Sequence, residues 1–247
     1  MRSSGVLFFG VDMKNPFKDL NKREWIIYIS SLVVVTASNF VSGKVDIINF
    51  LGTIIGVTAL IFIAKGNVFG QVLSVIFGVL YSITAIKYKY YSEIITYLGM
   101  TAPLAVISII TWFKNPYKKG ENVVKIRLLS IKEGFFLIAL TSAVTFVFYF
   151  VLEYLETPNL IVSTFSIATS FMASYLMVRR ISYYAVAFMC NDLVLIVLWV
   201  LASFDDITYL SMVACFTAFL VNDLYAFCCW KIRERKQGLI PNKKKSR

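Results

Sequence analysis

Eight long runs of apolar residues divide this chain, and each is close to the length that a helix needs to cross a lipid bilayer. A helix that spans roughly 30 Å of hydrocarbon uses about 20 mainly apolar residues. With 58% hydrophobic and only 16% charged residues, the chain has too little polar surface to coat a water-soluble globule. The sequence therefore predicts an all-α polytopic membrane protein with eight transmembrane helices. The runs cover residues 25–42, 45–64, 68–86, 91–113, 134–152, 160–178, 183–204 and 207–230.

The lysine and arginine residues predict how these helices are oriented. If both termini face the cytoplasm, only Lys44, Lys87 and Lys89 fall on the outer side, and the other 22 of the 25 basic residues fall on the inner side. Cytoplasmic loops are enriched in lysine and arginine, so this bias predicts a multi-pass protein of the inner or plasma membrane with cytoplasmic N- and C-termini. The net charge of +11 follows from the same bias, and we expect no nucleic-acid partner.

The loops group the helices as one, three, one and three. Because a single helix separates the two groups of three, both groups start on the outer side and end on the inner side, which makes them parallel repeats. Transporters built from such repeats bind substrate near the membrane midplane, between the two halves. The predicted divisions are a cytoplasmic segment (1–24), an extra helix (25–43), repeat 1 (44–113), a loop and linker helix (114–158), repeat 2 (159–230) and a basic cytoplasmic tail (231–247).

Four polar residues lie where hydrocarbon tolerates them poorly. Asn191 and Asp192 lie in the seventh predicted helix, and Asn222 and Asp223 repeat the same dipeptide in the eighth. Counted from the cytoplasmic ends of two antiparallel helices, both pairs lie roughly 12 Å deep. Such residues face a cavity or pair with one another, so two interpretations stay open: contact with a solute, or hydrogen bonding between helices alone. For Asp223, an ion site or a helix-pairing role is the prediction.

Other polar and aromatic residues extend this candidate site. Gln71 lies on the inner half of the third predicted helix, where its amide either reads a solute or packs between helices. Tyr81, Trp199 and Tyr225 are not easily explained as interfacial anchors and are candidate stacking platforms for a flat ring. We therefore predict a substrate site that includes Gln71, Tyr81, Asn191, Asp192, Trp199, Asn222 and Tyr225.

The residue types that the chain lacks exclude several kinds of chemistry. It has no histidine, which removes Ser-His-Asp and Cys-His nucleophilic sites as well as histidine-bound zinc or haem. Its four cysteines lie inside apolar runs without metal-ligand spacing, so we interpret them as buried apolar side chains. The expectation is a protein that is not an enzyme, that has no metal or cofactor, and whose partners are the lipid bilayer and a small-molecule substrate.

Three features together resemble the bacterial PnuC-type nicotinamide riboside transporters. The first is the grouping of spans as one, three, one and three. The others are residues 188–193 (FMCNDL) with LW at 198–199, and residues 221–225 (VNDLY) followed by Trp230 and a basic tail. That family is similar in architecture to the SWEET sugar transporters, and it has relatives for thiamine, riboflavin and deoxynucleosides. The resemblance covers about residues 45–236.

The resemblance implies uptake of nicotinamide riboside, or of a closely related uncharged or weakly charged vitamin nucleoside, by facilitated diffusion. It also implies metabolic trapping by a cytoplasmic kinase, and a homotrimer with one pathway per subunit. The chain departs from the family where VFG at 68–70 and two tyrosines at 183–184 replace a tryptophan-rich opening. The family's cavity residues map onto Gln71, Asn191, Trp199, Asn222 and Tyr225.

An alternative hypothesis keeps the membrane fold but couples transport to an ion gradient. Asp192 and Asp223 would form a proton or sodium site, and the protein would be an ion-coupled symporter. The substrate would then be nicotinamide riboside or another nucleoside or vitamin, such as a deoxynucleoside, thiamine or riboflavin.

Overall fold

The computed structural model describes residues 7–8, 11–12, 16–41, 46–87, 90–118 and 123–241, and eight long helices account for most of them. The smaller elements are a hairpin of β1 (Leu7–Phe8) and β2 (Val11–Asp12), and 3-10 turns at Pro16–Asp19 and Ile207–Tyr209. The eight helices are α1 (Lys22–Val41), α2 (Ile47–Ala64), α3 (Val68–Lys87), α4 (Tyr91–Lys114), α5 (Ile131–Tyr154), α6 (Leu160–Val178), α7 (Tyr184–Ser203) and α8 (Leu210–Lys236).

Seven of these helices, α2 to α8, are long and apolar enough to cross a membrane. This confirms the predicted polytopic membrane protein. Within the described residues α1 is outside that set, because Lys22, Arg23 and Glu24 occupy its first turn and residues 42–45 are not described. Its place as an eighth span therefore stays a prediction. At the other end of the chain, α8 continues six residues beyond the predicted end at Trp230.

Six helices form a closed ring. The neighbouring pairs around the ring are α2–α3, α3–α4, α4–α6, α6–α7, α7–α8 and α8–α2. Helix α1 packs outside the ring against α2 and α8, and α5 packs outside it against α6. This arrangement leaves the ring helices with one face toward the lipid and one face toward a common centre.

Helix α4 is irregular where it passes the centre of the ring. Tyr91–Ile94 is α-helical, Ile95–Thr101 is π-helical, and Ala102–Lys114 is α-helical again. Pro103 has no backbone N–H, so a carbonyl one turn earlier lacks its usual donor. A π-helical turn, with its longer hydrogen-bond spacing, accommodates such a break and is frequent at functional sites.

The two ends of the ring differ in charge, and we call them the basic face and the opposite face. The basic face carries the turns at 65–67 and 179–183, residues 115–118 and 123–130 of the linker, and residues 231–241. There Lys65 Nζ donates to Glu24 Oε2 at 2.8 Å and to the Asp19 carbonyl at 2.6 Å. These bonds hold the segment before α1, together with the first turn of α1, against the end of α2.

Two turns on the basic face have the same backbone shape and bind the same linker. Gly66 and Arg180 each have a left-handed backbone, with φ of 68° and 60°. The Gly66 carbonyl accepts from Val124 N at 3.1 Å, and the Arg180 carbonyl accepts from Arg127 N at 3.0 Å. Burial, followed by the neighbouring charges of Arg127 and Arg179, lowers the pKa of Arg180. The linker therefore bridges the two groups of three helices.

Candidate solute-binding site

A cavity lies at the centre of the ring, and all six ring helices contribute side chains to its wall. Its water-accessible volume is about 60 Å³. The lining residues are Gly56, Ala59, Leu60 and Ile63 from α2, Gln71, Ser74 and Phe77 from α3, Tyr97, Thr101, Leu104, Ala105 and Ser108 from α4, Ser174 and Met177 from α6, Phe188, Asn191 and Asp192 from α7, and Phe219 and Asp223 from α8.

Two carboxyl groups lie side by side in this wall. Asp192 on α7 and Asp223 on α8 are 3% and 2% exposed, and both line this cavity. Asp192 Oδ2 and Asp223 Oδ1 are buried without a hydrogen-bond partner in the described part of the chain. A buried oxygen without a partner costs free energy, so the pair marks a place where a ligand or water binds favourably.

Two carboxamides flank the carboxyl pair. Asn191 Oδ1 accepts from Thr169 Oγ1 at 2.9 Å and from Ser170 Oγ at 2.8 Å, which fixes its amide against α6. Gln71 is fully buried on α3, its Nε2 contacts Met177 Sδ, and its Oε1 has no hydrogen-bond partner among the described residues. Because thioether sulfur is a weak acceptor, much of the hydrogen-bonding capacity of Gln71 remains available to a solute.

Aromatic rings close the cavity toward the opposite face. Phe77 and Phe219 lie 5.4 Å apart between ring centroids, and Phe77 also packs edge-on to Tyr97 at 5.7 Å. Gly56 makes room for them, because a Cβ there would come within 2.5 Å of Phe219 and 3.0 Å of Phe77. These rings, together with Phe188, are the aromatic surfaces that a bound solute would touch.

Tyr81 and Trp199, which the sequence assigns to the site, lie behind those rings. Trp199 Nε1 donates to Tyr81 Oη at 3.1 Å, and Tyr81 Oη donates to Glu93 Oε2 at 3.3 Å. Glu93 Oε1 in turn accepts from Ser166 Oγ at 3.0 Å. This buried network joins α3, α4, α6 and α7 near the opposite face, so Tyr81 and Trp199 do not line the cavity.

Asn222 and Tyr225 also lie away from the cavity. Asn222 Nδ2 donates to Ser31 Oγ on α1 at 2.8 Å and to the Ala218 carbonyl at 2.8 Å. Tyr225 is half-buried between α1 and α8, close to Cys229. Of the predicted site residues, the structure therefore brings together Gln71, Asn191, Asp192 and Asp223 around the cavity, and it places Tyr81, Trp199, Asn222 and Tyr225 outside it.

Sequence reasoning missed Glu93 and the phenylalanines of the wall. Glu93 lies in the first turn of α4, where a carboxylate looks like a solvated helix end, yet the residue is fully buried. Phe77, Phe188 and Phe219 are indistinguishable from ordinary apolar residues in membrane helices. The available signal was that Phe77 follows Gln71 by about one and two-thirds turns on the same helix.

Two tryptophans join the ring helices between the cavity and the basic face. Trp112 Nε1 donates to the Met177 carbonyl at 3.2 Å, and Trp230 Nε1 donates to the Ile63 carbonyl at 3.0 Å. Sites that enclose small organic ligands typically have volumes of roughly 300–1,000 Å³. At about 60 Å³, the cavity is contracted in this conformation, and helices or side chains must move apart before a solute of nucleoside size fits.

A ring of membrane-spanning helices around a central cavity whose wall carries amide and carboxyl groups is the architecture of a small-solute transporter. Residues 46–232 match the family described as "Nicotinamide mononucleotide transporter". The "Nicotinamide riboside transporter PnuC" of Neisseria mucosa is 22% identical over 194 residues, which cover 76% of this chain and 73% of that protein. A solved structure, "Crystal structure of the Vitamin B3 transporter PnuC", has a TM-score of 0.78 at 18% identity, with 88% of this chain and 94% of that chain covered.

The chain belongs to this transporter family, because the match spans more than half of its length. It is therefore a multi-pass transporter of the inner or plasma membrane and not an enzyme. The structural likeness places its fold with that of PnuC. The family resemblance stated from the residues at 188–199 and 221–230 is confirmed.

Proposed function

We propose that this protein carries nicotinamide riboside across the membrane by facilitated diffusion. The observation that supports this most directly is the cavity wall, where carboxamides, carboxyl groups and phenylalanine rings meet. Gln71 and Asn191 suit the amide and ribose hydroxyls, because carboxamides both donate and accept hydrogen bonds. Phe77, Phe188 and Phe219 suit a flat pyridine ring.

The charge of the cavity favours the nucleoside over its 5′-phosphate. Asp192 and Asp223 are the acidic side chains among the residues that line it, and neither lysine nor arginine is among them. A phosphate group carries up to two negative charges at neutral pH and needs cationic or N–H donors. The mononucleotide named in the family description would therefore meet repulsion here, whereas the riboside named for the Neisseria mucosa relative would not.

The proposed mechanism is a rocking of two related halves, α2–α4 and α6–α8. A rotation that carries α2 onto α6, α3 onto α7 and α4 onto α8 turns each helix contact of the ring into another contact of the ring. The same rotation exchanges the bond from Trp112 to Met177 with the bond from Trp230 to Ile63. These relationships support the parallel repeats and the grouping of one, three, one and three, with α1 and α5 outside.

The remaining parts of the proposal follow from the resemblance and from charge. The basic face is cytoplasmic, as are both termini, because lysine and arginine concentrate in cytoplasmic loops. The protein assembles as a homotrimer, and a cytoplasmic kinase traps the substrate as its phosphate. Size measurement in detergent and thiol labelling of introduced cysteines on each face test the assembly and the orientation.

Uptake into proteoliposomes tests the transport function. Labelled nicotinamide riboside should enter saturably and equilibrate without accumulating, and excess nicotinamide mononucleotide should not compete. Asn191→Ala should weaken uptake by roughly tenfold or more, because it removes a buried hydrogen-bonding group from the wall. Thr217→Ala, on the exposed side of α8, is the matched control. Absence of saturable uptake would refute the proposal, and preferred uptake of thymidine, thiamine or riboflavin would reassign the substrate.

A second candidate is ion-coupled symport, which the contact between Asp192 and Asp223 favours. It predicts accumulation above the outside concentration when an inward proton or sodium gradient is imposed. Asp192→Asn should then abolish accumulation while leaving equilibration intact. Equilibration that is insensitive to both gradients would exclude this candidate.

A further inference from the structure

The pairing of Asp192 with Asp223 constrains the charge that the empty cavity holds. Both side chains are buried, both line the same cavity, and each has a carboxyl oxygen without a hydrogen-bond partner in the described part of the chain. Two carboxylates in contact at low dielectric cannot both be ionised without a neighbouring cation. The empty pair therefore holds at least one proton.

Within the part of the chain that the structure describes, the surroundings of the pair supply no positive charge. The titratable groups that interact with it are Tyr97 on α4, Tyr184 on α7 and Cys215 on α8. The sides of the cavity formed by α2, α3 and α6 present neutral residues. Arg233 interacts with Tyr184 from the basic face, where its guanidinium donates to the Ala64 carbonyl at 2.7 Å. A countercharge for the pair must therefore come from a proton or from a bound solute.

The proposed substrate brings such a charge. In nicotinamide riboside the nitrogen of the pyridine ring is also bonded to a carbon of the ribose. The ring is therefore a pyridinium with a fixed positive charge. This charge contradicts the expectation of an uncharged or weakly charged solute. The unpartnered oxygens of Asp192 and Asp223 point to a cation as the ligand that stabilises them best.

We propose that Asp192 and Asp223 form a cation-recognition pair that releases its proton when the positively charged ring enters the cavity. This proposal rests on the proposed function. The charge balances, because one proton leaves for the solvent as one positive charge arrives, and no covalent bond in the substrate changes. The cavity keeps the same net charge in its empty and loaded states, so at equal pH on both sides of the membrane the solute equilibrates, as in facilitated diffusion. The pair thus selects for a cationic ring and makes binding tighter as the pH rises.

Binding calorimetry on the purified full-length protein tests the exchange with two ligands of nearly equal shape. Nicotinamide riboside is cationic, and its 1,4-dihydro form has lost that charge. Titrations in two buffers of different ionisation enthalpy should show close to one proton released per nicotinamide riboside bound, and none for the dihydro form. The affinity for nicotinamide riboside should rise severalfold from pH 6 to pH 8, whereas the affinity for the dihydro form should not.

Variants of the pair localise the effect. Asp192→Asn and Asp223→Asn should each abolish the proton release and reduce the preference for the cationic ligand over the dihydro form by tenfold or more. Thr217→Ala should change neither. If the wild-type protein binds and transports nicotinamide riboside without releasing a proton, the exchange is refuted while the transport function stands. If the wild-type protein binds no nicotinamide riboside, both the proton exchange and the proposed transport function are refuted. The wild-type measurements decide the matter even where a variant does not fold.

Discussion

The rings of Trp112 and Trp230 lie 5.6 Å apart, although the two residues belong to α4 and α8, in different halves of the ring. Both are almost fully buried, and each donates to a carbonyl of the other half. The pair therefore joins the two halves at the basic face twice, by ring contact and by exchanged hydrogen bonds. In the proposed rocking mechanism, this pair separates when solute enters from that face.

Replacing either tryptophan should have nearly the same effect if the two halves are equivalent. Trp112→Phe and Trp230→Phe each remove one hydrogen bond and part of a buried ring, at a cost of about 1–2 kcal/mol. Thermal unfolding in detergent should show similar losses for the two variants. Trp25→Phe on α1, where the side chain is 38% exposed, should change stability much less. A large loss in one variant and none in the other would contradict equivalence.

The close approach of α2 and α3 depends on Gly70. A Cβ at Gly70 would lie 2.6 Å from Ile63 N and 2.8 Å from the Ala59 carbonyl, and backbone atoms cannot yield as a side chain can. Gly70→Ala should therefore destabilise the fold by roughly 1–3 kcal/mol or more, seen as a lower unfolding temperature and a lower folded yield.

Gly134 offers the matched control for that substitution. It also lies in a helix, α5, but its nearest contact for a Cβ is Leu129 at 3.9 Å. Gly134→Ala should be neutral or slightly stabilising, because alanine favours helix more than glycine does. If Gly70→Ala and Gly134→Ala had the same effect on the unfolding temperature, α2 and α3 would pack less tightly at Gly70 than the distances indicate.

The Glu93 network should hold the opposite face closed. Glu93→Ala removes the acceptor of Ser166 and Tyr81, and it leaves those hydroxyl groups without their partner. Cys215, which is 1% exposed among the nearby aromatic rings, should then react with a small maleimide at least fivefold faster than in the parent protein. The background for this measurement carries serine at positions 190, 228 and 229.

Glu153→Ala is the control for the labelling experiment. Glu153 is an exposed carboxylate at the end of α5, on the same face as Glu93. Its removal should leave the rate of Cys215 labelling unchanged. Unchanged labelling in Glu93→Ala as well would mean that the aromatic rings alone keep this face shut.

Asp46 should contribute to stability in a pH-dependent way. Its carboxylate caps α2 by accepting from Ile48 N and Asn49 N, and it pairs with Lys87 Nζ at 2.6 Å. Partial burial acts to raise the pKa of Asp46, but the hydrogen bonds from Lys87 and Asn49 outweigh it, so the pKa is lowered from its ordinary value of 3.8. The contribution is therefore present above about pH 4 and is lost as the pH falls through the lowered pKa.

Two variants separate the cap from the charge. Asp46→Asn keeps a good capping side chain and should remove this part of the acid sensitivity, measured as unfolding temperature between pH 3 and pH 7. Asp46→Ala should lose the cap as well and cost about 1 kcal/mol at every pH. An acid sensitivity in Asp46→Asn equal to that of the parent would assign the effect to another group.

The buried dipeptides illustrate what could be predicted about the site. Asp192, Asp223 and Asn191 line the cavity, and the sequence singles them out because an ionisable or amide group in an apolar run is costly and needs a polar environment. Asn222 has the same signal, yet its partner is Ser31 on α1 and not the cavity. The sequence reports that such a residue needs a partner, but the partner depends on which helix lies on that side.

For the aromatic residues, the residue type does not indicate which rings line the cavity. Tyr81 and Trp199 stand out by type, but they bind Glu93 behind the cavity. Phe77 and Phe219 form the wall, and their type alone does not separate them from the other phenylalanines in the chain. A ring in a membrane helix packs equally well against lipid, protein or solute, so composition does not locate it.

The long apolar runs alone establish that this chain crosses the membrane several times in helices. Backbone N–H and C=O groups in hydrocarbon must bond to one another, and a helix satisfies them within a single run. The sequence also determined which charged groups need a partner. The tertiary structure decided that six helices close into a ring, that Asp192 meets Asp223, and that Asn222 turns toward α1. Those outcomes depend on how each helix is rotated about its own axis and on how the helices pack against one another. When most faces of a helix are apolar, its hydropathy does not indicate which face points toward the centre of the ring.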